Sequence, residues 1–369
     1  MIIGIPKEIK QDEFRISLPP DKVHLLKENG HKALIEAGAG LGAGIKDEVY
    51  SRAGATIVDD RLEIFGEAKM IIKVKEPQEE ELDMFQKGQI LFTYLHLAAE
   101  REIALSLIKK GVTSIAYETV QLKDGSLPLL FPMSEIAGRL APQIAAQLLM
   151  KKSKGPGKLI GGIPGVRPCN VVILGGGTVG SNAALIATSL GAKVTVLDID
   201  ISRLRYLSYH SEYLETHMAT PFNILTNVEK ADVVIGAVLI AGNTAPKVVT
   251  KEMVDQMQAD SIIIDVAVDQ GGCVETIKPT SHSDPTYRIG EVIHYAVPNI
   301  LGTVPYTASI SLSNSTYLYA LKLANLGFVE AVKNDSSLAK GVNTVDGQVT
   351  HPAVAQALGI QHTPLGKLT

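Results

Sequence analysis

Short apolar runs alternate with amphipathic stretches along the first third of the chain. "IIGIP" is followed by "PDKVHLLKENG", "HKALIEAG", "DEVYSRAG", "ATIVDD", "KMIIKVKE", "EELDMFQKG", "QILFTYLH", "REIALSLIKKG" and "SIAYETV". The β-branched and aromatic runs read as buried strands, and the stretches with helical periodicity between them as helices. The helical pieces tend to close on glycine, at Gly30, Gly54, Gly88 and Gly111, as left-handed C-terminal caps do when the next strand follows directly. The alternation predicts a mostly parallel, doubly wound α/β sheet.

A helix-like segment, "LPLLFPMSEIAGRLAPQIAAQLLM", then gives way to "KKSKGPGKLIGGIPGVRP", whose glycine and proline content reads as a connector. A second α/β unit begins at Asn170 and ends near "HYAVPNILGTVP". After it, "ASISLSNSTYLYALKLANLGF" reads as a long helix. Assigning that helix and the tail to the first domain predicts two doubly wound α/β domains. A Rossmann nucleotide-binding domain, residues 130–305, is inserted into a discontinuous substrate domain, residues 1–129 and 306–369, with a cleft expected between them.

Composition narrows the function classes. A chain of 369 residues, 46% apolar and 20% charged, can bury two cores and is neither disordered nor fibrous. The formal net charge of −4, with no Lys/Arg block, argues against a nucleic-acid partner. No apolar stretch reaches the roughly 18 residues of a membrane span, and no secretory leader is evident, so a cytoplasmic protein is expected. Cys169 and Cys273 lie far apart without metal-ligand spacing, which fits two reduced thiols and no metal.

The stretch "VVILGGGTVGSNAALIATSLGAKVTVLDID" carries the first specific chemistry. Gly175, Gly177 and Gly180 form G-x-G-x-x-G between an apolar strand and a helix. The first glycine permits the tight turn, the second lets the backbone approach a pyrophosphate, and the third lets helix and strand pack closely. The helix N-terminus offers N–H groups and a positive dipole to the phosphates. Asp198 ends the next strand, where a carboxylate can hold adenosine ribose hydroxyls and repel a 2′-phosphate, so NAD rather than NADP is expected. Arg203, just beyond, can stack on adenine, touch a phosphate, or lie on the surface.

In open α/β sheets ligands sit outside the carboxyl ends of the strands, which draws attention to Arg15, Lys75 and His96. Arg15, in the loop after the first strand, suits bidentate binding of a carboxylate. Lys75, ending "MIIKVK", suits a carboxylate or carbonyl oxygen, and His96, ending "ILFTYLH", suits proton transfer near neutral pH. Each also has an ordinary reading. Arg15 can pair with Asp12 or Glu13 on the surface, Lys75 can belong to the solvated run "KVKEPQEEE", and His96 can cap the following helix. Asp269 ends "IIIDVAVD" in the nucleotide domain and is expected to reach the same cleft, whereas Asp265, inside that strand, suits a structural role.

Over essentially its whole length the chain resembles the alanine dehydrogenase/pyridine nucleotide transhydrogenase family. The matching segments are "GIPKEIKQDEFRISL", "IIKVKEP", "LFTYLHLAA", "TSIAYETVQL", "PMSEIAGRLA", "ILGGGTVG", "VIGAVL", "DVAVDQGGC" and "LAKG". The resemblance to its alanine dehydrogenase branch implies reversible oxidative deamination of L-alanine to pyruvate and ammonia, with hydride transfer to NAD. It implies that Arg15 and Lys75 bind the carboxylate and carbonyl of pyruvate and that His96 and Asp269 are the acid/base groups. Ser134 would contact the cofactor. The rest of the NAD site would comprise Thr178, Val179, Asp198, Arg203, Val238, Leu239, Val266, Ala267, Val268, Asp269, Lys278, Val297, Pro298, Asn299 and Ile300. It also implies a homohexamer.

Two stretches depart from the family pattern. "ATPFNI" places Ala219 and Thr220 where a serine pair is common, and "NILGTVP" places Ile300 and Leu301 near the nicotinamide end. The rival readings are a nicotinamide-binding subunit of a proton-translocating transhydrogenase, an opine- or saccharopine-type dehydrogenase with a wider pocket, and a catalytically silent NAD(H) sensor. The transhydrogenase subunit lacks the strand-end lysine and histidine that "KVKEP" and "YLHLAA" retain.

Overall fold

A computed structural model describes residues 1–210, 214–238 and 245–369. The chain divides into two compact units, one formed by Met1–Met133 with Leu301–Thr369, the other by Ser134–Ile300. Each is a mixed α/β unit built on a sheet dominated by parallel strands.

In the first unit the sheet contains, among the described residues, β1 (Ile2–Ile5), β2 (Lys32–Glu36), β3 (Thr56–Val58), β4 (Met70–Ile72), β5 (Ile90–Thr93), β6 (Thr113–Ala116), β14 (Val342–Val345) and β15 (Gln348–Val349). Their spatial order is β15-β14-β6-β5-β4-β1-β2-β3. The strands β1 to β6 are mutually parallel, while β14 returns from the far end of the chain and pairs antiparallel with β6. Chain order reverses between β1 and β4, so this is the topological switch point. Gly4 in β1 is a packing requirement, since a Cβ there would lie 2.6 Å from Ile64 Cγ2 of the helix Arg61–Glu67. The core of one face joins Leu34, Phe65, Ile71, Leu91, Leu107 and Val354, so the C-terminal segment completes what the N-terminal one begins.

The second unit contains β7 (Asn170–Leu174), β8 (Lys193–Asp198), β9 (Leu214–Met218), β10 (Val233–Gly236), β11 (Ile262–Asp265), β12 (Thr286–Ile289) and β13 (Val292–Tyr295). Their order is β12-β13-β11-β10-β7-β8-β9, and among the described residues only β12 runs antiparallel to its neighbour. The reversal here lies between β7 and β10. Near-continuous apolar runs, such as "VVIL" within β7 and "III" within β11, are what a parallel sheet covered on both faces requires.

Several local expectations need correction. Gly54 and Gly111 are left-handed C-caps, but Gly88 lies well beyond a single helical turn, Glu79–Leu82. Three acidic residues crowd that turn, and the chain leaves it through Asp83. The glycine- and proline-rich stretch after the helix Phe131–Leu148 is not a loose connector. Asp232, 1% exposed, gathers Lys158 Nζ at 2.5 Å, Arg167 Nη1 at 2.9 Å and the Asn170 N–H at 2.8 Å, fastening the stretch to the second unit. Arg167 and Lys158 together hold the Asp232 carboxyl below its ordinary range against the opposing effect of burial. The long helix Pro305–Asn334 is interrupted at Gly327, whose φ of 74° no helix accommodates.

Candidate functional site

Arg15, Lys75 and His96 follow β1, β4 and β5, three strands adjacent in the sheet, and β1 and β4 flank its switch point. The topology therefore brings them to one sheet edge. Arg15 is 2% exposed, and its partner is Glu13: Nε meets Oε1 at 2.7 Å and Nη2 meets Oε2 at 2.5 Å. The ordinary reading of Arg15 pairs it with Asp12 or Glu13 on the surface; the pair with Glu13 forms, but both side chains are buried, and Phe14 between them is the exposed one. Burial raises the Glu13 carboxyl, yet the hydrogen bond and charge of Arg15, with help from Lys75, hold it below the ordinary glutamate value. Arg15 Nη1 also lies 3.2 Å from Met133 Sδ. A guanidinium fixed this way presents its donors in a set direction.

Lys75 is half-buried between buried Val74 and buried Glu76, not in a solvated run, and two residues before it a charge cluster is buried. Lys73, fully buried, lies 3.1 Å from Glu8 and 2.8 Å from Glu81, and Glu8 accepts the Val74 N–H at 2.6 Å. Burial pushes the Glu8 carboxyl up, partly offset by Lys73. The Lys75 carbonyl accepts the Thr93 hydroxyl at 3.0 Å, tying the end of β4 to the end of β5.

His96 lies beyond the strand rather than on it. The ladder of β5 stops at Thr93, although Tyr94 and Leu95 remain buried, which is why the apolar run overstated the strand. The His96 backbone is left-handed, φ 51°, and its side chain is 45% exposed. Its ring is not the cap of the helix Arg101–Lys110; its carbonyl accepts the Ala99 and Glu100 N–H groups instead. Glu118, which sequence reasoning passed over, accepts the His96 N–H at 2.6 Å. The available signal was an acid two residues after the buried strand "TSIA".

In the second unit the candidate residues likewise follow the carboxyl ends of strands. Gly175 turns at φ 97°, and a Cβ there would meet Ala237 O at 2.6 Å. At Gly180 a Cβ would lie 1.7 Å from Gly175 O, so the helix Thr178–Ser189 rests directly on the strand end. Gly177 differs: among the described residues a Cβ there would meet only Arg203 Nη1, at 3.9 Å. Protein packing does not demand glycine at that point, which leaves close approach of a ligand as its physical reason. As N-cap it offers no capping side chain, so the first-turn N–H groups are of the kind an anion satisfies. These features fit a dinucleotide pyrophosphate. Thr178 and Val179 open the helix, half-buried.

Asp198 ends β8 and is 4% exposed, with Oδ2 accepting the Gly176 N–H at 2.6 Å and Oδ1 the Asp200 N–H at 2.8 Å. It braces the glycine loop through the first of these bonds. Arg203, with its side chain 55% exposed, approaches Asp198 at 3.5 Å and Asp200 at 3.7 Å. Val238 follows β10; Leu239 lies outside the described residues. Asp265 serves structure, accepting the N–H groups of Ala267, Cys273 and Val274 at 3.0, 2.7 and 3.0 Å. That anchor shapes Val266, Ala267 and Val268 and leaves Asp269 exposed on the 3-10 turn Val268–Gln270. Val297, Pro298, Asn299 and Ile300 follow β13, with Asn299 left-handed at φ 55°. Lys278 is exposed, and its N–H donates to Tyr287 Oη at 2.6 Å. Ser134 is half-buried in the helix Phe131–Leu148. Thr220, in place of a family serine, caps the helix Pro221–Val228 by accepting the Asn223 N–H. Both cysteines are free and buried, and among the described residues no cluster of three or more His, Cys, Asp or Glu is arranged to hold a metal ion.

Comparison with known proteins accounts for the pairing of two such units. Residues 4–137 match the family description "Alanine dehydrogenase/PNT, N-terminal domain" and residues 141–352 its C-terminal counterpart. Alanine dehydrogenase of Methanococcus maripaludis is 53% identical over 369 residues, covering 100% of this chain and 99% of that protein. The Bacillus subtilis enzyme of the same name is 51% identical, covering 100% and 97%. A solved L-alanine dehydrogenase superposes with a TM-score of 0.95 at 50% identity, covering 97% of this chain and 99% of that one. A transhydrogenase from Sinorhizobium meliloti shares the fold, with a TM-score of 0.82 at 24% identity over 96% of this chain and 100% of that one. With both domain descriptions matched and about half of all positions identical over the full length, the chain belongs to the alanine dehydrogenase/PNT family.

Proposed function

We propose that the chain is an NAD-dependent L-alanine dehydrogenase, interconverting L-alanine with pyruvate and ammonia. The observation that carries the reading is the delivery of Arg15, Lys75 and His96 from three adjacent strands around one switch point, in a chain about half identical to alanine dehydrogenases along its whole length. On this reading the first unit binds the substrate, and the second, with its glycine loop and Asp198, binds NAD.

When bound, NAD would accept hydride from the alanine Cα and return it in the reverse direction. Arg15, held by Glu13, binds the substrate carboxylate through its planar fork. Lys75 holds the carboxylate or the carbonyl oxygen and stabilises negative charge that develops there. His96 and Asp269 carry protons, deprotonating the substrate ammonium before hydride leaves and the water that adds to the resulting imine, then protonating the departing ammonia. Asp198 selects NAD by its charge near the ribose 2′ position. Ser134, Val238, Val266 to Val268, Lys278 and Val297 to Ile300 complete the assigned cofactor contacts, on the strength of the family resemblance. A cytoplasmic homohexamer completes the proposal; the exposed Leu318 and Phe222 offer apolar surface for subunit contacts.

The test is a screen of L-alanine, L-lysine, glutamate and glycine with NAD and NADP, followed by reduced-nicotinamide absorbance. NADH formation with L-alanine is expected. Turnover of lysine without turnover of alanine would overturn the reading.

A further inference from the structure

We propose that Glu118 is the positioning residue for His96. Glu118 lies in the 3-10 turn Tyr117–Thr119 directly after β6, the neighbour of β5, where Thr93 pairs with Ala116. It therefore reaches across from one strand end to the next. Its carboxylate accepts the His96 N–H at 2.6 Å and the Leu95 N–H at 3.2 Å through Oε2 and 3.3 Å through Oε1. Two successive backbone donors converging on one carboxylate set the direction of the chain at the point where the imidazole leaves it.

That direction is unusual. His96 has φ 51°, in the left-handed region that a residue with a Cβ enters when its surroundings impose it, and such residues gather at functional sites. The Glu118 clamp fixes the peptide that enters this residue, and the left-handed turn lets the His96 carbonyl accept the Ala99 and Glu100 N–H groups beyond it. The ring has a second constraint in Tyr94, parallel to it within 7° at a centroid distance of 6.3 Å. Tyr94 is in turn anchored by its hydroxyl, which donates to the Leu129 carbonyl at 2.5 Å. Glu118 Oε1 is 4.0 Å from His96 Nδ1, too far for a hydrogen bond but close enough to place a counter-charge beside an imidazolium. Glu118 thus fixes where the ring sits and meets the charge it carries during proton transfer.

This inference rests on the assignment of His96 to acid/base chemistry, so its test is a double-mutant cycle on kcat/KM with Glu118→Ala, His96→Ala and the double variant. Glu118→Ala is expected to lower kcat about 10²-fold, the scale of a misplaced catalytic group, with little change in KM. In the His96→Ala background the same change should cost less than about twofold, because a residue acting through His96 has nothing left to position. Glu118→Gln keeps a carbonyl acceptor for the N–H groups and should recover part of the loss; it also replaces the alanine variant in the cycle if that one does not fold. Equal losses in both backgrounds, or a loss accounted for by the folded fraction, would overturn the positioning role alone. Normal kcat in His96→Ala would overturn the His96 assignment and this inference with it.

Discussion

In the first unit Arg15 rests on Glu13, Lys73 lies between Glu8 and Glu81, and the loop that carries His96 hangs from Glu118. In the second, Gly175 and Gly180 bring backbone against backbone, and the carboxylates of Asp198 and Asp265 are occupied by main-chain N–H groups. On the proposed function, the contrast follows from what each edge has to hold. A small charged substrate is oriented by full charges, and a full charge under the surface needs a counter-charge to stay there. A dinucleotide pyrophosphate can be held by main-chain dipoles at a helix N-terminus, which need only close approach and do not titrate. One edge is sensitive to charge, the other to a single Cβ.

The largest expected effect separates the two units outright. His96→Ala should lower kcat by about 10²- to 10⁴-fold in both directions while leaving NADH affinity, measured by fluorescence titration, near normal. A large fall in thermal midpoint with near-normal kcat per folded molecule would instead mark the histidine as structural.

Next is charge removal at Glu13. Glu13→Gln leaves Arg15 buried without its counter-charge and should destabilise the fold by about 3–5 kcal/mol at pH 7, read by urea unfolding. The Glu13 carboxyl lies below its ordinary 4.5, so its contribution is full above that pH and disappears as pH falls through the depressed value. The deficit of the variant should therefore narrow below about pH 4.5. A gap that stays constant down to acid unfolding would show that charge is not what holds Arg15.

Sterics supply the smallest and sharpest effect. Gly180→Ala should destabilise by about 1–3 kcal/mol, since its Cβ collides with the Gly175 carbonyl. Gly177→Ala should leave the thermal midpoint nearly unchanged and weaken NADH binding, because among the described residues its Cβ would meet nothing beyond its chain neighbours closer than 3.9 Å. If both variants behave alike, the glycine loop is a packing device and the comparison between the two edges fails.

How much of this could be read from sequence depended on the range of the signal. Gly175, Gly177, Gly180 and Asp198 form a local pattern whose spacing specifies a strand, a turn and a helix, and the structure places them so. The end of β5 was misjudged because burial continues through Tyr94 and Leu95 after pairing stops, and an apolar run records burial. Glu13 looked like a surface residue because "DEFR" is polar, yet there the polar residues point inward and Phe14 points out. Glu118 is distant from His96 along the chain and becomes its neighbour only through the pairing of β5 with β6. Asp232, likewise, is remote from the Lys158 and Arg167 that it gathers.

The return of β14 to pair with β6 bears on synthesis. The second unit is continuous in sequence, so every residue it needs has left the ribosome once residue 300 emerges. The first unit at that moment has six strands of its sheet but not β14, β15 or the helix Pro305–Asn334, and the helix Pro352–Leu358, which supplies Val354 to its core, is still to come. Its β6 edge stays open to other chains until β14 has emerged. Vectorial synthesis thus favours an order in which the unit holding the glycine loop folds first and the unit carrying Arg15, Lys75 and His96 closes last.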